Sequence, residues 1–358
     1  MKQNPSYRSV HADFKLDGIH YNFDELREIA YNFVKEGNPF EISMGDFLLD
    51  WVSEKPTLEV FTSGSTGKPK KISLKKEHML NSAKATGFFF DLKAGDKALL
   101  CLPCSGIAGK MMLVRAMAIG MDLRYVEPSS VPLQNNSNFY DFVAMTPLQV
   151  GNSLEQLSQI GTLIVGGAPI STSLKQTLED APNAIFETYG MTETITHIAA
   201  KRLSNPADDN FQILPDISIS VDDRDCLIIS APHISDNKVI TNDIVEMVNA
   251  KSFKWFGRFD TVINSGGVKL IPEKIEEKLS SFIKPRFFVA GIPDDALGQK
   301  LVLVVEDVKM SKQELLQQIK GLDKLGKYEV PKEIFSLKTF QETKTGKIHR
   351  EKTLQRIR

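Results

Sequence analysis

The chain has 358 residues, a length that predicts two domains at about 150 residues per domain. Hydrophobic residues make up 42% and charged residues 25%, which excludes a disordered or collagen-like chain. The 44 lysines and arginines nearly balance the 45 aspartates and glutamates, so a net charge of −1 gives no global field that would attract nucleic acid. Three cysteines are too few for a disulfide scaffold and fit a reducing compartment.

The apolar stretches give no sign of secretion or of membrane insertion. Residues 1–14 lack the apolar core of a secretory signal. The most apolar run, 111–121, is shorter than the ~20 residues of a membrane span and carries Arg115 in its middle. We therefore expect a cytoplasmic protein that does not insert into a membrane.

Short apolar runs alternate with longer amphipathic stretches through the first half of the chain. This alternation predicts an α/β fold with a largely parallel sheet. From about 211 to 248 the pattern changes to short strands separated by Asp and Asn turns, which predicts a smaller β-rich lobe. The expected strands cover 58–62, 97–102, 142–146, 162–165 and 184–187, and the expected helices cover 75–90, 108–119, 147–159 and 171–178.

A domain boundary is predicted between Gly257 and Arg258. Residues 258–358 contain 20 lysines and arginines and 14 aspartates and glutamates, a balance of +6, whereas residues 1–257 carry −7. We expect a large N-terminal domain over 1–257 and a small α+β C-terminal domain over 258–358. The positive charge of the second domain is typical either of an ordinary solvated surface or of a cap over a polyanionic substrate.

A loop rich in glycine and hydroxyl side chains follows the strand predicted at 58–62. Glycines let successive backbone N–H groups converge on one anion, and hydroxyls and lysines add donors for phosphate oxygens. The loop is not a Walker A sequence, because Thr62 stands where a glycine is required and Pro69 stands where Walker A has Ser or Thr. The alternative is a flexible surface loop. The predicted phosphate loop consists of Thr62, Ser63, Gly64, Ser65, Thr66, Gly67, Lys68, Pro69 and Lys70.

The loop resembles the signature loop of the acyl-adenylate-forming superfamily, which contains acyl-CoA synthetases, luciferases and nonribosomal-peptide adenylation domains. The resemblance covers residues 58–350 and hardly touches the stretch before them, which we expect to be a shortened form of the superfamily's first subdomain. It implies a large α/β N-terminal domain, with sheets flanked by helices and a small β-rich lobe, and a mobile C-terminal domain. Further matching segments follow in the superfamily's order at 166–169, 189–194, 241–243, 257–276 and 344–350.

By this resemblance, ATP binds along the N-terminal domain. Tyr189 would face adenine, Thr192 would contact the α-phosphate, and Glu193 would bind Mg²⁺, which prefers oxygen ligands. Taken alone, Glu193 is also typical of a negative charge at a helix N-terminus. Asp243 would accept the ribose hydroxyls, although Asn242 replaces the superfamily's glycine. The other implied ATP ligands are Thr62, Ser63, Gly64, Ser65, Thr66, Gly67, Lys70, Gly167, Ala168, Gly190 and Arg258.

The C-terminal domain supplies the moving parts in this resemblance. Asp260 would be the hinge about which the domain turns, and Gly266 and Gly267 would line the channel for coenzyme A. Lys347 would bridge the attacking carboxylate and the α-phosphate and stabilise the charge that builds in the transition state. An isolated basic run such as 344–350 is otherwise typical of a solvated tail.

The acid substrate is indicated by fewer residues. Cys104 and Ser105 stand where most relatives have an aromatic residue and a histidine. Arg115 lies in an otherwise apolar predicted helix, so it either forms a structural ion pair, reaches solvent or holds a substrate anion. In the o-succinylbenzoate–CoA ligases of menaquinone biosynthesis, which the run 107–112 also resembles, a basic residue at about this place meets a substrate carboxylate. The residues expected at the acid site are Arg115, Gly166 and Gly190.

Together these residues imply a two-step reaction that needs no nucleophilic side chain. A carboxylate attacks the α-phosphate of ATP and displaces pyrophosphate, and coenzyme A then attacks the acyl-adenylate and displaces AMP. We predict an o-succinylbenzoate–CoA ligase, with Mg²⁺ as cofactor, ATP and coenzyme A as co-substrates, no nucleic-acid partner, and a monomeric or homodimeric state. The alternatives are a ligase for another aryl or acyl acid, a nucleotide-binding protein without turnover, and an ATPase, which the Walker A mismatch disfavours.

Overall fold

The computed structural model describes residues 6–61, 71–134, 136–342 and 348–357. Helices alternate with strands through the first half of this part of the chain, and the arrangement confirms the predicted α/β class. The helices are α1 (Glu25–Glu36), α2 (Pro39–Val52), α3 (Lys76–Phe89), α4 (Ile107–Ile119), α5 (Pro147–Gly151), α6 (Thr172–Glu179), α7 (Pro272–Ser280), α8 (Lys312–Lys320) and α9 (Arg350–Leu354). The strands are β1 (Lys15–Leu16), β2 (Ile19–His20), β3 (Thr57–Phe61), β4 (Lys71–Lys75), β5 (Lys97–Leu100), β6 (Asp122–Tyr125), β7 (Tyr140–Met145), β8 (Ile160–Val165), β9 (Ala184–Gly190), β10 (His197–Arg202), β11 (Phe211–Ile213), β12 (Ser218–Val221), β13 (Cys226–Ser230), β14 (Val239–Asn249), β15 (Ser252–Arg258), β16 (Ile263–Ser265), β17 (Val268–Leu270), β18 (Phe287–Asp294), β19 (Gly298–Glu306) and β20 (Glu333–Leu337).

One large sheet contains 13 of the described strands, in the order β12-β13-β14-β15-β11-β10-β9-β8-β7-β5-β6-β1-β2. The neighbours from β1 through β6, β5, β7 and β8 to β9 are parallel, as expected where helices connect successive strands. Every neighbouring pair from β9 to β12 is antiparallel. The β-rich region predicted after about residue 211 is therefore built as an antiparallel extension of the main sheet.

The opening stretch, for which we predicted no elements, packs onto the main core. Phe14, Leu26, Phe47 and Trp51 are buried in the same cluster as the methionines and leucines of α4. The helix α2 begins at a capping box, in which the side chain of Asn38 accepts the N–H of Glu41 and the Glu41 carboxylate accepts the N–H of Asn38.

The helix predicted over 147–159 is divided in two. The first piece, α5, is capped by Thr146 and ends at Gly151, and a 3₁₀ helix follows at Leu154–Gln159. Gly151, Asn152 and Ser153 are weak helix formers, because glycine has high backbone entropy and the polar side chains compete for backbone hydrogen bonds. Each piece still buries one apolar side chain in the core, Val150 from the first and Leu157 from the second.

The helix α4 contains the most apolar run of the sequence. Its 13 residues span about 20 Å at 1.5 Å per residue, and Gly120, at φ 91°, ends it in the left-handed conformation that glycine tolerates. Among the described helices, none combines the length and the apolar character needed to cross a bilayer. The helix instead lies against the main sheet and carries Arg115 inward.

A second, smaller sheet lies after Arg258. It consists of β17, β16, β19 and β18, with β20 parallel to β19. The helix α7 begins with Pro272 and buries Ile275 and Leu279 four residues apart, as the sequence predicts. The position of the domain boundary at 257/258 stays a prediction.

Candidate active site

The candidate site lies where the main sheet changes from parallel to antiparallel pairing. Gly166 and Gly167 directly follow β8, and Tyr189 and Gly190 end β9. In open α/β sheets, ligands bind beyond the carboxyl ends of parallel strands. Gly167 has φ 82°, a conformation that favours glycine, and open space surrounds its missing side chain. The structure places Ala168, half-buried, next in this turn.

Gly190 makes the close approach of β10 to the end of β9 feasible. It is the register partner of His197 across the two strands. A Cβ at position 190 would lie 2.1 Å from the carbonyl oxygen of Thr196 and 2.4 Å from the Cα of His197. Because both atoms belong to the backbone, no side-chain rotation would relieve these contacts.

The segment between these two residues is a tight and strained turn. Ile195 has φ 66° and ψ −68°, and the N–H of Thr196 donates to the carbonyl of Thr194 at 2.8 Å. This is a γ-turn with positive φ, which is rare and costly for a β-branched residue. Strain of this kind is retained when the surrounding structure enforces it, and such strain is concentrated at functional sites.

Thr192 and Glu193 directly precede this turn in a short 3₁₀ helix, Thr192–Thr194. Thr192 is half-buried, and Glu193 is exposed. Within the described ranges no group of three His, Cys, Asp or Glu side chains could enclose a metal ion. A single open carboxylate instead fits Mg²⁺ that arrives with a nucleotide, because Mg²⁺ keeps several waters and needs only one or two carboxylates besides phosphate oxygens.

Asp243 is a buried carboxylate held by two neutral donors. The hydroxyl of Tyr189 donates to Oδ2 at 2.8 Å, and Nε1 of Trp255 donates to Oδ1 at 3.1 Å. Burial, followed by the negative charge of Asp243, raises the pKa of Tyr189, so its hydroxyl remains a donor. Each carboxylate oxygen keeps a further lone pair for a ligand hydroxyl. Sequence reasoning did not identify Trp255, because an aromatic residue in a strand is typical of the core.

Aromatic packing positions the ring of Tyr189. Its centroid lies 5.2 Å from that of Phe253 in an edge-on arrangement and 5.9 Å from that of Phe211.

Asn242 lies in β14 with no positive φ, so this position does not demand glycine. Its side-chain oxygen accepts Nη1 of Arg224 at 3.0 Å.

Arg258 and Asp260, the predicted ribose contact and the predicted hinge, bind each other. The guanidinium donates through Nε to Oδ1 at 2.9 Å and through Nη2 to Oδ2 at 3.0 Å. This contact lowers the pKa of Asp260. Arg258 is also the register partner of Asp243 across β14 and β15. The structure therefore brings the predicted ribose ligands and the predicted hinge to one end of this hairpin.

Arg115 lies inside the protein, with only 2% of its surface exposed. Its guanidinium donates to Oγ1 of Thr196 at 3.1 Å and to Oγ1 of Thr86 at 3.4 Å, and it contacts Nδ1 of His197 at 3.4 Å. No carboxylate in the described part of the chain forms an ion pair with it. Burial lowers its pKa to about 10, so it stays charged at neutral pH. Sequence reasoning missed the partners Thr86, Thr196 and His197.

The remaining predicted residues fall into two groups. Gly266 and Gly267 form the two-residue turn between β16 and β17, with φ 57° and 83°. Positive φ at both positions is characteristic of a type I′ hairpin turn and explains the glycine pair. The predicted phosphate-loop residues and the predicted catalytic lysine lie outside the described residues: Thr62, Ser63, Gly64, Ser65, Thr66, Gly67, Lys70 and Lys347.

Comparison with known proteins identifies this arrangement. Residues 49–225 match the family described as AMP-binding enzyme. A solved structure from Dyadobacter fermentans, an acyl-CoA synthetase (AMP-forming)/AMP-acid ligase II-like protein, is 36% identical, with 93% of this chain and 98% of that chain covered and a TM-score of 0.62. The chain belongs to the AMP-binding, adenylate-forming enzymes. The family predicted from the motif order is thereby confirmed.

Within this family, the chain is similar to enzymes whose names give 2-succinylbenzoate (o-succinylbenzoate) as their acid substrate. The 2-succinylbenzoate–CoA ligase of Listeria monocytogenes is 24% identical over 99% of this chain and 81% of that protein. The o-succinylbenzoate coenzyme A synthetase of Bacillus subtilis, solved in complex with ATP and magnesium ion, is 21% identical over 83% of this chain and 69% of that chain, with a TM-score of 0.72. This second likeness concerns the fold.

Proposed function

We propose that the protein is an ATP-dependent carboxylate–CoA ligase whose acid is o-succinylbenzoate. The observation that carries the choice of acid is the environment of Arg115. This cation is buried beside the site, and its hydrogen-bond acceptors among the described residues are all neutral. The order of motifs and the family carry the class of reaction. The similar enzymes named for 2-succinylbenzoate support the same acid.

The adenylation step is a displacement at the α-phosphorus. An oxygen of the acid's carboxylate forms the new P–O bond, and the bond to pyrophosphate breaks. Asp243 would accept the ribose hydroxyls and Thr192 would contact the α-phosphate. Lys347 would neutralise charge on the attacking and phosphate oxygens. Mg²⁺, held through Glu193, would supply charge neutralisation of the phosphates.

The second step is an acyl transfer. The sulfur of coenzyme A attacks the carbonyl carbon of the acyl-adenylate, and AMP leaves with the bonding electrons. Gly266 and Gly267 would line the approach of the thiol, because a turn without side chains lets a narrow substituent pass. Rotation of the C-terminal domain about Asp260 would withdraw Lys347 from the site and bring this glycine hairpin in its place.

The electrostatics of the site favour an acid with two carboxylates. A buried charge is normally paired. Glu187 on β9 is an example, because the ammonium groups of Lys175 and Lys201 each lie 3.0 Å from its carboxylate. Arg115 has hydroxyl and imidazole acceptors instead. A second carboxylate on the acid would supply the missing anion, whereas an acid with one carboxylate would leave the guanidinium unneutralised after adenylation.

The test is pyrophosphate release with a panel of carboxylic acids, with and without coenzyme A. We expect o-succinylbenzoate to give AMP, pyrophosphate and, with coenzyme A, the thioester. Replacing Arg115 by Leu should raise the KM for o-succinylbenzoate about tenfold or more, since a charge-assisted hydrogen bond is lost, and leave the KM for ATP unchanged. Arg115→Lys is the matched variant that keeps the charge. Its KM for o-succinylbenzoate should lie between those of the wild type and of Arg115→Leu.

Two results would count against the proposal in different ways. If no acid supports AMP formation, the ligase assignment is wrong, and ATP binding without turnover would identify a nucleotide-binding protein. If a benzoate or a fatty acid reacts while o-succinylbenzoate is inert, only the choice of acid is wrong.

A further inference from the structure

A cavity of about 520 Å³ opens beside the candidate active site, between α3 and the segments 214–217 and 231–234. Apolar side chains, Phe88 among them, form much of its lining. His197 and Ser82 contribute polar atoms on its inner side, and Lys84, Asp216 and His233 add titratable groups elsewhere in the lining. The cavity can therefore hold the apolar body of a small acid and also presents polar groups at several points of its lining.

His197 lies between this cavity and the buried cation. It lines the cavity, and its Nδ1 contacts Nη2 of Arg115 at 3.4 Å, whereas Arg115 is not part of the lining. Because a guanidinium can only donate, Nδ1 must be the acceptor and the ring proton must reside on Nε2. That nitrogen lies 3.3 Å from Oγ1 of Thr86. These contacts thus hold the imidazole neutral and in one tautomer.

The position of His197 fits the length of a short aryl diacid. His197 is the register partner of Gly190, and paired residues in an antiparallel ladder have Cα atoms about 5 Å apart. An acid with one carboxylate at the end of β9 can therefore place a second carboxylate near His197 without a long chain. A long monocarboxylate would instead bring methylene groups to this polar contact.

We propose that His197 determines specificity for the second carboxylate of the acid, which binds between the imidazole and the guanidinium of Arg115. The inference rests on the proposed function and deepens it. The 3.4 Å contact between Nδ1 and Nη2 is the longer of the Nη2 contacts, and a carboxylate oxygen replaces it. The guanidinium then donates to the anion, and so does the imidazole once Nδ1 takes a proton from solvent.

The charges around the imidazole explain why this proton is taken up only with the anion. Burial and then the positive charge of Arg115 hold the pKa of His197 well below its usual range. The other titratable groups that face the same cavity are Lys84 on α3, Asp216 and His233. A bound carboxylate adds a negative charge next to the ring and reverses the balance.

The experiment compares His197→Asn with His197→Leu. The oxygen of Asn can accept from Arg115 as Nδ1 does but cannot ionise, whereas Leu removes the acceptor. Binding of o-succinylbenzoate is measured by calorimetry in two buffers that differ in ionisation enthalpy, and KM values for the acid and for ATP are measured alongside. We expect the wild type to take up a proton on binding and to bind more weakly as the pH rises.

Both variants should lose this proton uptake. The KM for the acid should rise about tenfold in His197→Asn and more in His197→Leu, with the KM for ATP unchanged as evidence that the site is intact. Absence of proton uptake in the wild type, uptake that persists in His197→Asn, or unchanged KM values for the acid would each overturn the role of His197. Failure of the proposed function is distinguishable: if the ligase assignment is wrong, no variant, wild type included, forms AMP from any acid, and if only the acid is wrong, o-succinylbenzoate is inert with the wild type while another acid reacts.

Discussion

At Asp243, the carboxylate is oriented by side chains from two other strands. Tyr189 comes from β9 and Trp255 from β15, and each occupies a different oxygen. With both oxygens held from the protein side, the remaining lone pairs are aimed in a fixed direction, which lowers the entropy cost of binding a diol. The motif predicts the carboxylate, but the two donors that orient it come from tertiary contacts.

Replacing Trp255 by Phe tests this orientation. The variant keeps an aromatic ring and removes Nε1–H, so we expect the KM for ATP to rise several-fold, with a loss of about 1 kcal/mol in the free energy of unfolding. Steady-state kinetics and urea denaturation measure the two quantities. Trp51→Phe is the control, because the buried Nε1 of Trp51 has no hydrogen-bond partner within the described residues. Equal changes in the KM for ATP in both variants would contradict the role of Trp255.

Arg115 shows the limit of prediction for single residues. Its place in an apolar helix predicts that it is paired, solvated or ligand-binding, and these alternatives cannot be separated by periodicity. The structure excludes solvent exposure, since the side chain is buried, and it shows neutral partners and no ion pair for Arg115 within the described residues, so ligand binding stays a proposal. The decision needed the positions of Thr86, Thr196 and His197, which belong to other elements.

Among the elements, α7 is joined to β18 and α9 by one carboxylate. Glu276 on α7 accepts Nη2 of Arg350 at 2.8 Å and the N–H of Val289 at 2.9 Å. Burial raises the pKa of Glu276 to about 7, although Arg350 acts in the opposite direction. The junction therefore responds to pH in the neutral range.

We expect the free energy of unfolding to fall as the pH rises from about 4.5 to about 7. In this window folded Glu276 holds a proton that the unfolded chain has released, so rising pH favours unfolding, by up to about 3 kcal/mol. Glu276→Gln should flatten this part of the profile in a thermal-denaturation series. Glu329→Gln is the control, because Glu329 has the opposite pH dependence. The pKa of Glu329 is lowered in the folded protein, so its contribution to the free energy of unfolding is lost only as the pH falls. A wild-type profile that stays flat from pH 4.5 to 7 would contradict the assignment.

Local sequence predicted the elements well where the apolar pattern is continuous and no weak former interrupts it. The strand predicted at 97–102 is β5, Lys97–Leu100, and the helix predicted at 108–119 is α4, Ile107–Ile119. At 147–159 apolar spacing alone predicted one helix, and the weak helix formers at its middle decided otherwise. The capping box that opens α2 was present in the sequence and could have located that helix.

On the scale of the whole molecule, the proposed reaction assigns the two steps to two arrangements of the C-terminal domain. Lys347→Ala should therefore reduce adenylation by orders of magnitude and largely spare thioester formation from supplied acyl-adenylate. Pyrophosphate release and thioester formation are measured separately. Lys338→Ala, which removes an exposed lysine nearby in sequence, is the control. Equal loss in both steps for Lys347→Ala would rule out the exchange of arrangements.

The amino-acid sequence by itself determined the family, the α/β class and the identity of most candidate ligands, because these depend on residue types at short spacings and on their order. Only the tertiary structure decided that Arg115 is buried beside His197 and that Trp255 supports Asp243. Arg115 and His197 are separated by 82 positions, and they meet because β10 pairs with β9 while α4 packs against β5 and β6 of the same sheet. Contacts of this range are set by strand pairing and core packing, which a local pattern does not encode.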